Sequence, residues 1–350
     1  MDNVKDVFSH FNVEDKLYSF ERNTTGHINR TYICTVVDER TNVKRKYTLQ
    51  CINRNVFKNV EGVMDNIVKV TECIKSDSDC TMSLSVVRCN DGKPYYLDSN
   101  GEYWRMYNYI SDVLCMDVLT SRDEAFLLGV AIADFQKKLS KMEAEKLCVT
   151  IPDFHNMEFR YHQFDEALAN AGKVSPERVG NAEKEIEFFK ARRKSSIAFF
   201  HDVCQKTPTR VTHNDAKLNN VLFSSDLSKS CVIDLDTVMP GSVLFDTGDM
   251  LRTVTNTAKE DERDLAKVSF NKEYYQSLKA GFFSIAESFL TDLEKDNFLN
   301  SGKYITQIVG LRFLNDYLMG DIYFHTEYEE HNLVRCRTQI KLVESMEACK

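Results

Sequence analysis

Near the start of the chain, apolar positions fall in short runs. Residues 31–37 (TYICTVV) and 47–52 (YTLQCI) are β-branched and aromatic, and the charged DERTNVKRK between them predicts a hairpin. Val60, Val63, Met64, Ile67, Val70 and Ile74 recur at helical spacing and predict a helix over residues 60–75. LSVV, PYYL and YWRMYNYI then read as strands around turn signals at Asn90-Asp91-Gly92 and Asn100-Gly101. The first 107 or so residues are therefore expected to form a sheet with one helix.

The texture changes at Ser121. Ser121-x-x-Glu124 has the form of a capping box, and Leu127, Ala131, Phe135 and Leu139 follow at four-residue intervals. Residues 181–204, 262–290 and 303–324 read as helices, and the strand-like runs NNVLF and SCVIDLD interrupt them. The expected fold class is α+β in two lobes: residues 1–107 with an antiparallel sheet plus helix, and residues 108–350 larger and mostly helical. A chain of 350 residues is long for one core, and with only 5 prolines and no Gly/Ser-rich tract the lobes should be closely joined.

Composition narrows the classes of function. The 45 basic residues are interspersed among 53 acidic ones, for a net charge of -8, so no nucleic-acid or membrane-surface footprint is expected. The 11 cysteines have irregular spacing and no C-x-x-C, which argues against a disulfide framework or a zinc site and fits a reducing cytoplasm. The acid-studded start MDNVKDVFSHFNVEDKLYSF does not read as a signal peptide, so a soluble cytoplasmic protein is expected. Oligomeric state has no signature in the sequence.

Chemistry concentrates in THNDAKLNN at residues 212–220 and VIDLDTVMPG at residues 232–241. If the backbone turns between them, Asp215 and Asn220 can converge, while Asp234 and Asp236 emerge at the end of a second strand. Hard oxygen ligands of this kind suit Mg²⁺. With Lys217 added, the set has the parts needed to align a nucleotide γ-phosphate with an attacking hydroxyl. Taken alone, H-x-D-x-x-x-x-N is a loose pattern, and Asn-Asp and Asn-Asn pairs also simply make turns.

HNDAKLNN resembles the catalytic loop of protein kinases and of aminoglycoside and choline phosphotransferases, and VIDLDTVMPG resembles their metal-binding segment. The resemblance implies a protein-kinase-like fold. It makes Asp215 the catalytic base, Lys217 the γ-phosphate partner and Asn220 and Asp234 the metal ligands, with His213 holding the loop. FDTGD resembles an element that braces that loop through Asp246, and bracing is expected of Asp249 too. Asp236 either assists the metal or caps the turn before Pro240-Gly241.

GHINRTY, YTLQCINRNVF, WRMYNYI, THNDAKLNNVLF, CVIDLDTVMPG and FLNDYLMGDIYF are also similar, in order, to segments of the N-acetylhexosamine 1-kinases. That resemblance implies ATP- and Mg²⁺-dependent phosphorylation of the C1 hydroxyl of GlcNAc or GalNAc, with nucleotide in the N-terminal lobe and acceptor in the C-terminal one. A kinase of another small alcohol and a catalytically silent binding protein are the alternatives.

On the nucleotide side, Gly26, Asn29 and Thr31 are candidates to cover the triphosphate, although a lone glycine also serves ordinary turns. Tyr107, Asn108 and Tyr109 would form a hinge meeting adenine, or their aromatics are plain packing. Related kinases usually carry a lysine or arginine on the third strand for the α- and β-phosphates. Here Gln50 holds that position beside Cys51, so the charge must come from elsewhere, with Arg54 or a tighter metal site as candidates.

Residues 303–324 carry apolar side chains nearly all round, which predicts a buried helix with Arg312 and Asp316 within its apolar stripe. Their i,i+4 spacing permits a plain salt bridge, and a pocket for a polyhydroxylated acceptor would equally satisfy them.

Overall fold

The computed structural model describes residues 3–24, 28–77, 80, 82–116 and 118–349. The chain divides into two compact units: residues 1–115, 138–152 and 221–240 form the first, and 116–137, 153–220 and 241–350 the second.

The first unit opens with a short helix, α1 (Val4–Ser9), and a meander of β1 (Lys16–Asn23), β2 (Arg30–Val37) and β3 (Lys44–Cys51). Helix α2 (Val60–Ser76) follows, begun by Asn59, whose side chain accepts from the Gly62 amide. Two short strands, β4 (Val86–Val87) and β5 (Tyr96–Leu97), precede β6 (Tyr103–Asn108). These six strands make one antiparallel sheet in the order β1-β2-β3-β6-β4, with β5 also on β6. The predicted hairpin is β2-β3, in a register that sets Gln50 opposite Thr31 on one side and Arg105 on the other. Cys34, Val36, Leu49, Trp104 and Met106 form its core with Val7 and Phe8 of α1.

Asn66 explains how the later segments join this unit. It is fully buried on α2, donates to the carbonyls of Cys148 and Val238, and accepts from the Cys148 amide. One amide side chain thus ties residues 138–152 and 221–240 to the same helix. Strand β7 (Val113–Cys115) belongs to this unit too.

The second unit is helical. Helix α3 (Arg122–Leu139) starts at the predicted capping box: Glu124 accepts from the Ser121 amide and Ser121 Oγ from the Glu124 amide. Then come α4 (Met157–Val174), α5 (Pro176–Asn181), α6 (Glu183–Asp202) and a short strand, β8 (Arg210–Thr212). The chain next supplies β9 (Val221–Ser224) and β10 (Ser230–Val232) to the first unit, where they form a small sheet in the order β10-β9-β7. It returns through β11 (Met239–Gly241) to α7 (Val243–Val254), α8 (Lys272–Ala286), α9 (Asp292–Asp296), α10 (Phe298–Met319) and α11 (His331–Glu347).

One helix is shorter than its sequence pattern predicts, and another is shifted toward the N-terminus. Residues 262–290 were expected to be one helix, but α8 begins only at Lys272, where the Asn271 side chain accepts from the Tyr274 amide. Residues 303–324 contain the end of α10 at Met319, because Gly320 takes φ 96° and closes the helix in the left-handed region. Helix α10 is buried almost all round, with Ile305, Ile308, Leu311, Leu314 and Leu318 at most 2% exposed. At roughly 1.5–3 kcal/mol for each large apolar side chain removed from water, it is a principal support of this unit. Gly248 lets α7 lie directly on it, since a Cβ there would collide with Ile305. Among the described residues all 11 cysteines are free thiols, and no helix is long and apolar enough to cross a membrane.

Candidate active site

In the second unit, β8 leads into the loop 213–220, which Asp246 of α7 holds from below. One oxygen of Asp246 accepts from the His213 amide (2.9 Å) and from Gln136 Nε2 (2.9 Å), and the other from the Asn214 amide (2.7 Å). Asn214 takes φ 64°, a conformation asparagine tolerates better than most residues. The loop then turns so that the Asp215 amide donates to His213 Nδ1 at 3.2 Å. With Nδ1 as acceptor, a neutral His213 carries its proton on Nε2.

The turn brings together three residues singled out in the sequence. Asp215 Oδ2 accepts from Lys217 Nζ at 2.8 Å and from Asn220 Nδ2 at 3.0 Å, and the same Asn220 nitrogen also bonds the Asp215 carbonyl at 2.8 Å. Burial raises the Asp215 pKa, but the charge and hydrogen bond of Lys217, with His213 and Arg252 behind, outweigh it and hold the carboxyl below the usual carboxylate range. With its nitrogen spent on Asp215, Asn220 has its amide oxygen left to offer a cation.

Asp249, also on α7, is buried and bonds Arg252 Nε through Oδ1 at 2.8 Å, and Arg252 Nη1 reaches Glu260 at 2.8 Å. Its Oδ2 has no partner among the described residues. Burial raises its pKa, Arg252 opposes the rise, and the nearby charge of Asp215 adds to it.

The first unit holds the other acidic segment. Asp234 follows β10 with φ 61° and ψ 52°, a left-handed aspartate before a turn of 3₁₀-helix at Leu235–Thr237. Asp236 lies in that turn, 3% exposed, with one oxygen paired to Arg105 Nη1 and the other accepting from Asn29 Nδ2 at 2.7 Å. Asn29 in turn accepts from the Asn53 amide. Arg105, 1% exposed on β6, also donates through Nε to Gln50 Oε1 at 2.9 Å, and Gln50 Nε2 donates to Thr31 Oγ1 at 3.0 Å. Burial works against the Arg105 charge, yet the carboxylate of Asp236 more than offsets it and the net direction of its pKa is up. Asn29, Thr31 and Gln50 are therefore one hydrogen-bonded chain closed by an ion pair.

Arg105 is the residue that sequence reasoning missed. Arg54, the candidate for the missing charge, is exposed, and its Nη1 donates to the Gly101 carbonyl. The available signal was the lone arginine inside the apolar and aromatic run YWRMYNYI. Gly26 lies outside the described residues. Tyr107 is buried, with the Arg105 guanidinium 5.2 Å from its ring, whereas Asn108 and Tyr109 are exposed. The Asn108 amide is bonded to the Ser85 carbonyl and the Tyr109 amide to that of Lys46.

Arg312 and Asp316 are neighbours on α10 without an ion pair between them among the described residues. Asp316 accepts from the amides of Ile322, Tyr323 and Phe324 at 2.7–2.9 Å and from Asn332 Nδ2 at 2.9 Å. It anchors the loop after Gly320. Arg312, half-buried, lies among the rings of Phe154, Tyr323 and Phe324 at 5.0–5.6 Å. A second guanidinium is close by: burial, and then the Arg312 charge, lower the pKa of Arg160, which donates to the Phe154 carbonyl. Next to them, burial pushes His155 down to about 3, so it is neutral, and its Nε2 bonds the Asn214 carbonyl of the loop at 2.8 Å.

Residues 91–280, more than half of the chain, match the model of the Phosphotransferase enzyme family (APH). The chain belongs to this family. An aminoglycoside phosphotransferase from Alicyclobacillus acidocaldarius is similar over 98% of this chain and 94% of its own, at 11% identity and a TM-score of 0.63. A spectinomycin phosphotransferase, solved with ADP and spectinomycin, covers 99% and 97% at 11% identity and a TM-score of 0.56. A choline kinase from Streptococcus pneumoniae covers 94% of each chain at 14% identity and a TM-score of 0.54. These likenesses establish the fold, a mixed α+β arrangement with an antiparallel sheet and many helices. By this membership the chain is a phosphotransferase.

Proposed function

We propose that this phosphotransferase moves the γ-phosphate of ATP to the anomeric C1 hydroxyl of an N-acetylhexosamine such as N-acetylglucosamine or N-acetylgalactosamine. The observation that carries the kinase reading is the convergence of Lys217 and Asn220 on Asp215. An ionised carboxylate, fixed from both sides, is ready to orient an acceptor hydroxyl and take its proton as the oxygen attacks phosphorus. Lys217 then stands next to the transferring group, where its charge offsets the negative charge of the phosphoryl oxygens.

Asp234 offers a carboxylate and Asn220 an amide oxygen, each a hard oxygen donor of the kind Mg²⁺ takes, an ion that usually keeps one or two protein ligands and completes its shell with phosphate and water. When bound, the ion neutralises phosphate charge. Asn220→Ala and Asp234→Ala are both expected to raise the Mg²⁺ concentration needed for half-maximal turnover, Asp234→Ala more strongly because a carboxylate holds the ion harder than an amide. Metal titration of each variant checks this, and unchanged curves would remove the ligand assignment.

The acceptor side favours an uncharged ligand. Arg312 lies among the rings of Phe154, Tyr323 and Phe324, and Arg160 adds a second positive charge close by. Choline-like and aminoglycoside acceptors would meet like charge there, whereas a sugar brings hydroxyl and carbonyl oxygens that accept from guanidinium. Asp316 acts indirectly, by seating the loop that bears Tyr323 and Phe324. Arg312→Met is expected to raise the acceptor KM about tenfold to a hundredfold with little change in the KM for ATP. If only the melting temperature moves, Arg312 serves the core alone.

Phosphorus NMR of products from a panel of free hexosamines, amino alcohols and aminoglycosides tests the whole reading. A phosphate on C1 of an N-acetylhexosamine is the expected result. Turnover of amino alcohols alone would sink the sugar assignment, and absence of any ATP turnover would leave a silent binding protein.

A further inference from the structure

The buried arginine of β6 has no obvious work to do for the fold. A buried ion pair seldom stabilises more than apolar residues of similar volume would, because removing both charges from water costs about as much as their attraction returns. Yet Arg105 and Asp236 are both nearly inaccessible, and the pair is the meeting point of Asn29 from the segment before β2, Thr31 of β2, Gln50 of β3 and the turn after β10. Every polar residue of this network except Arg105 and Asn53 is one the sequence had marked for nucleotide or metal, Asp236 among them as a candidate to assist the metal. The register places Arg105 directly opposite Gln50, the strand-3 position at which a positive charge is missing.

We infer that Arg105, delivered from β6, is the cation that binds the α- and β-phosphates of the nucleotide in this chain. Gln50 does not replace a basic residue; its side-chain oxygen fixes the Nε edge of the fork, while its own nitrogen is held by Thr31. An arginine has five N–H donors, so one fork can be oriented by Gln50 and still present an edge to an oxyanion. In this structure that edge is held by Asp236. A phosphate reaches it by taking the place of the carboxylate, one oxyanion for another, so the guanidinium stays paired throughout. Asp236, released from Arg105, then lies two residues from Asp234. The inference rests on the kinase reading above.

The full-length protein tests it by calorimetric titration with two probes, ADP and adenosine, in metal-free buffer. Arg105→Gln is expected to weaken ADP binding about tenfold to a hundredfold and to leave adenosine within about twofold, because only ADP carries the phosphates. Adding Gln50→Arg to Arg105→Gln moves the guanidinium across the ladder to the facing position and should restore most of the ADP affinity. Should Arg105→Gln fold poorly because Asp236 is left buried and unpaired, the double variant Arg105→Gln/Asp236→Asn removes both charges and should show the same ADP-specific loss. ADP affinity unchanged in these variants, or an equal loss for both probes, would overturn the assignment while leaving the kinase reading intact. A wild-type protein that binds neither probe would end both.

Discussion

Asp215→Asn is expected to lower turnover by about 10² to 10⁴-fold while ADP affinity stays close to that of the wild type. The substitution keeps the shape of the side chain but removes its capacity to take a proton, and it withdraws the negative charge that holds Lys217 at 2.8 Å. The pH profile sharpens the expectation. The folded pKa of Asp215 lies below its unfolded value of about 3.9, so the carboxylate is ionised throughout the neutral range. Its contribution to stability is present above the unfolded pKa and is lost as pH falls through the folded one. The acid limb of kcat should therefore lie below the ordinary carboxylate range, and a fall in rate near neutral pH belongs to another group. Near-normal turnover in Asp215→Asn would remove the residue from the mechanism.

Asp246→Ala should cost roughly 3–5 kcal/mol of stability, and more activity than that loss alone explains. The carboxylate is fully buried and accepts from the amides of His213 and Asn214 and from Gln136, so truncation leaves three donors without partners in a dry site. Asn in its place would turn one acceptor into a donor facing donors. Both amides belong to the residues just before Asp215, so the same change frees the loop that sets the direction of the base. Burial raises the Asp246 pKa; the stability this shift contributes is greatest below the unfolded pKa of about 3.9 and is lost as pH rises through the folded value. Urea unfolding and steady-state kinetics on one preparation check both effects. Stability within about 1 kcal/mol of wild type together with intact kcat would show that the loop holds itself.

The β2-β3 hairpin, the start of α3 and the convergence of residues 215, 217 and 220 could all be read from the sequence because each carries a local pattern: alternation, a capping box, fixed offsets. Strand β1 could not, since it is exposed along most of its length and shows no apolar face. The start of α8 was misplaced because the helical pattern of residues 262–271 is overridden by Asn271 capping at Tyr274. The joining of three separate segments in the first unit runs in part through Asn66, an unremarkable polar residue until its partners at Cys148 and Val238 are seen. Arg105 and Asp316 were opaque for the same reason. Helical or strand spacing says which side chains are neighbours along one element, but Asp236 lies 131 residues from Arg105, and the donors to Asp316 lie beyond the glycine that ends its helix.

The clasp on Asp316 has a consequence for how this protein could change its acceptor. Three of its four bonds are made by main-chain amides of residues 322–324, and a main-chain amide is present whatever side chain follows, proline excepted. The loop is thus secured through its backbone, while the side chains of Ile322 and Tyr323 stay largely exposed. Those positions work like an exchangeable tip on a fixed shaft. New side chains can be tried there without dismantling the mount, which makes this short segment an economical place to probe the proposed acceptor side.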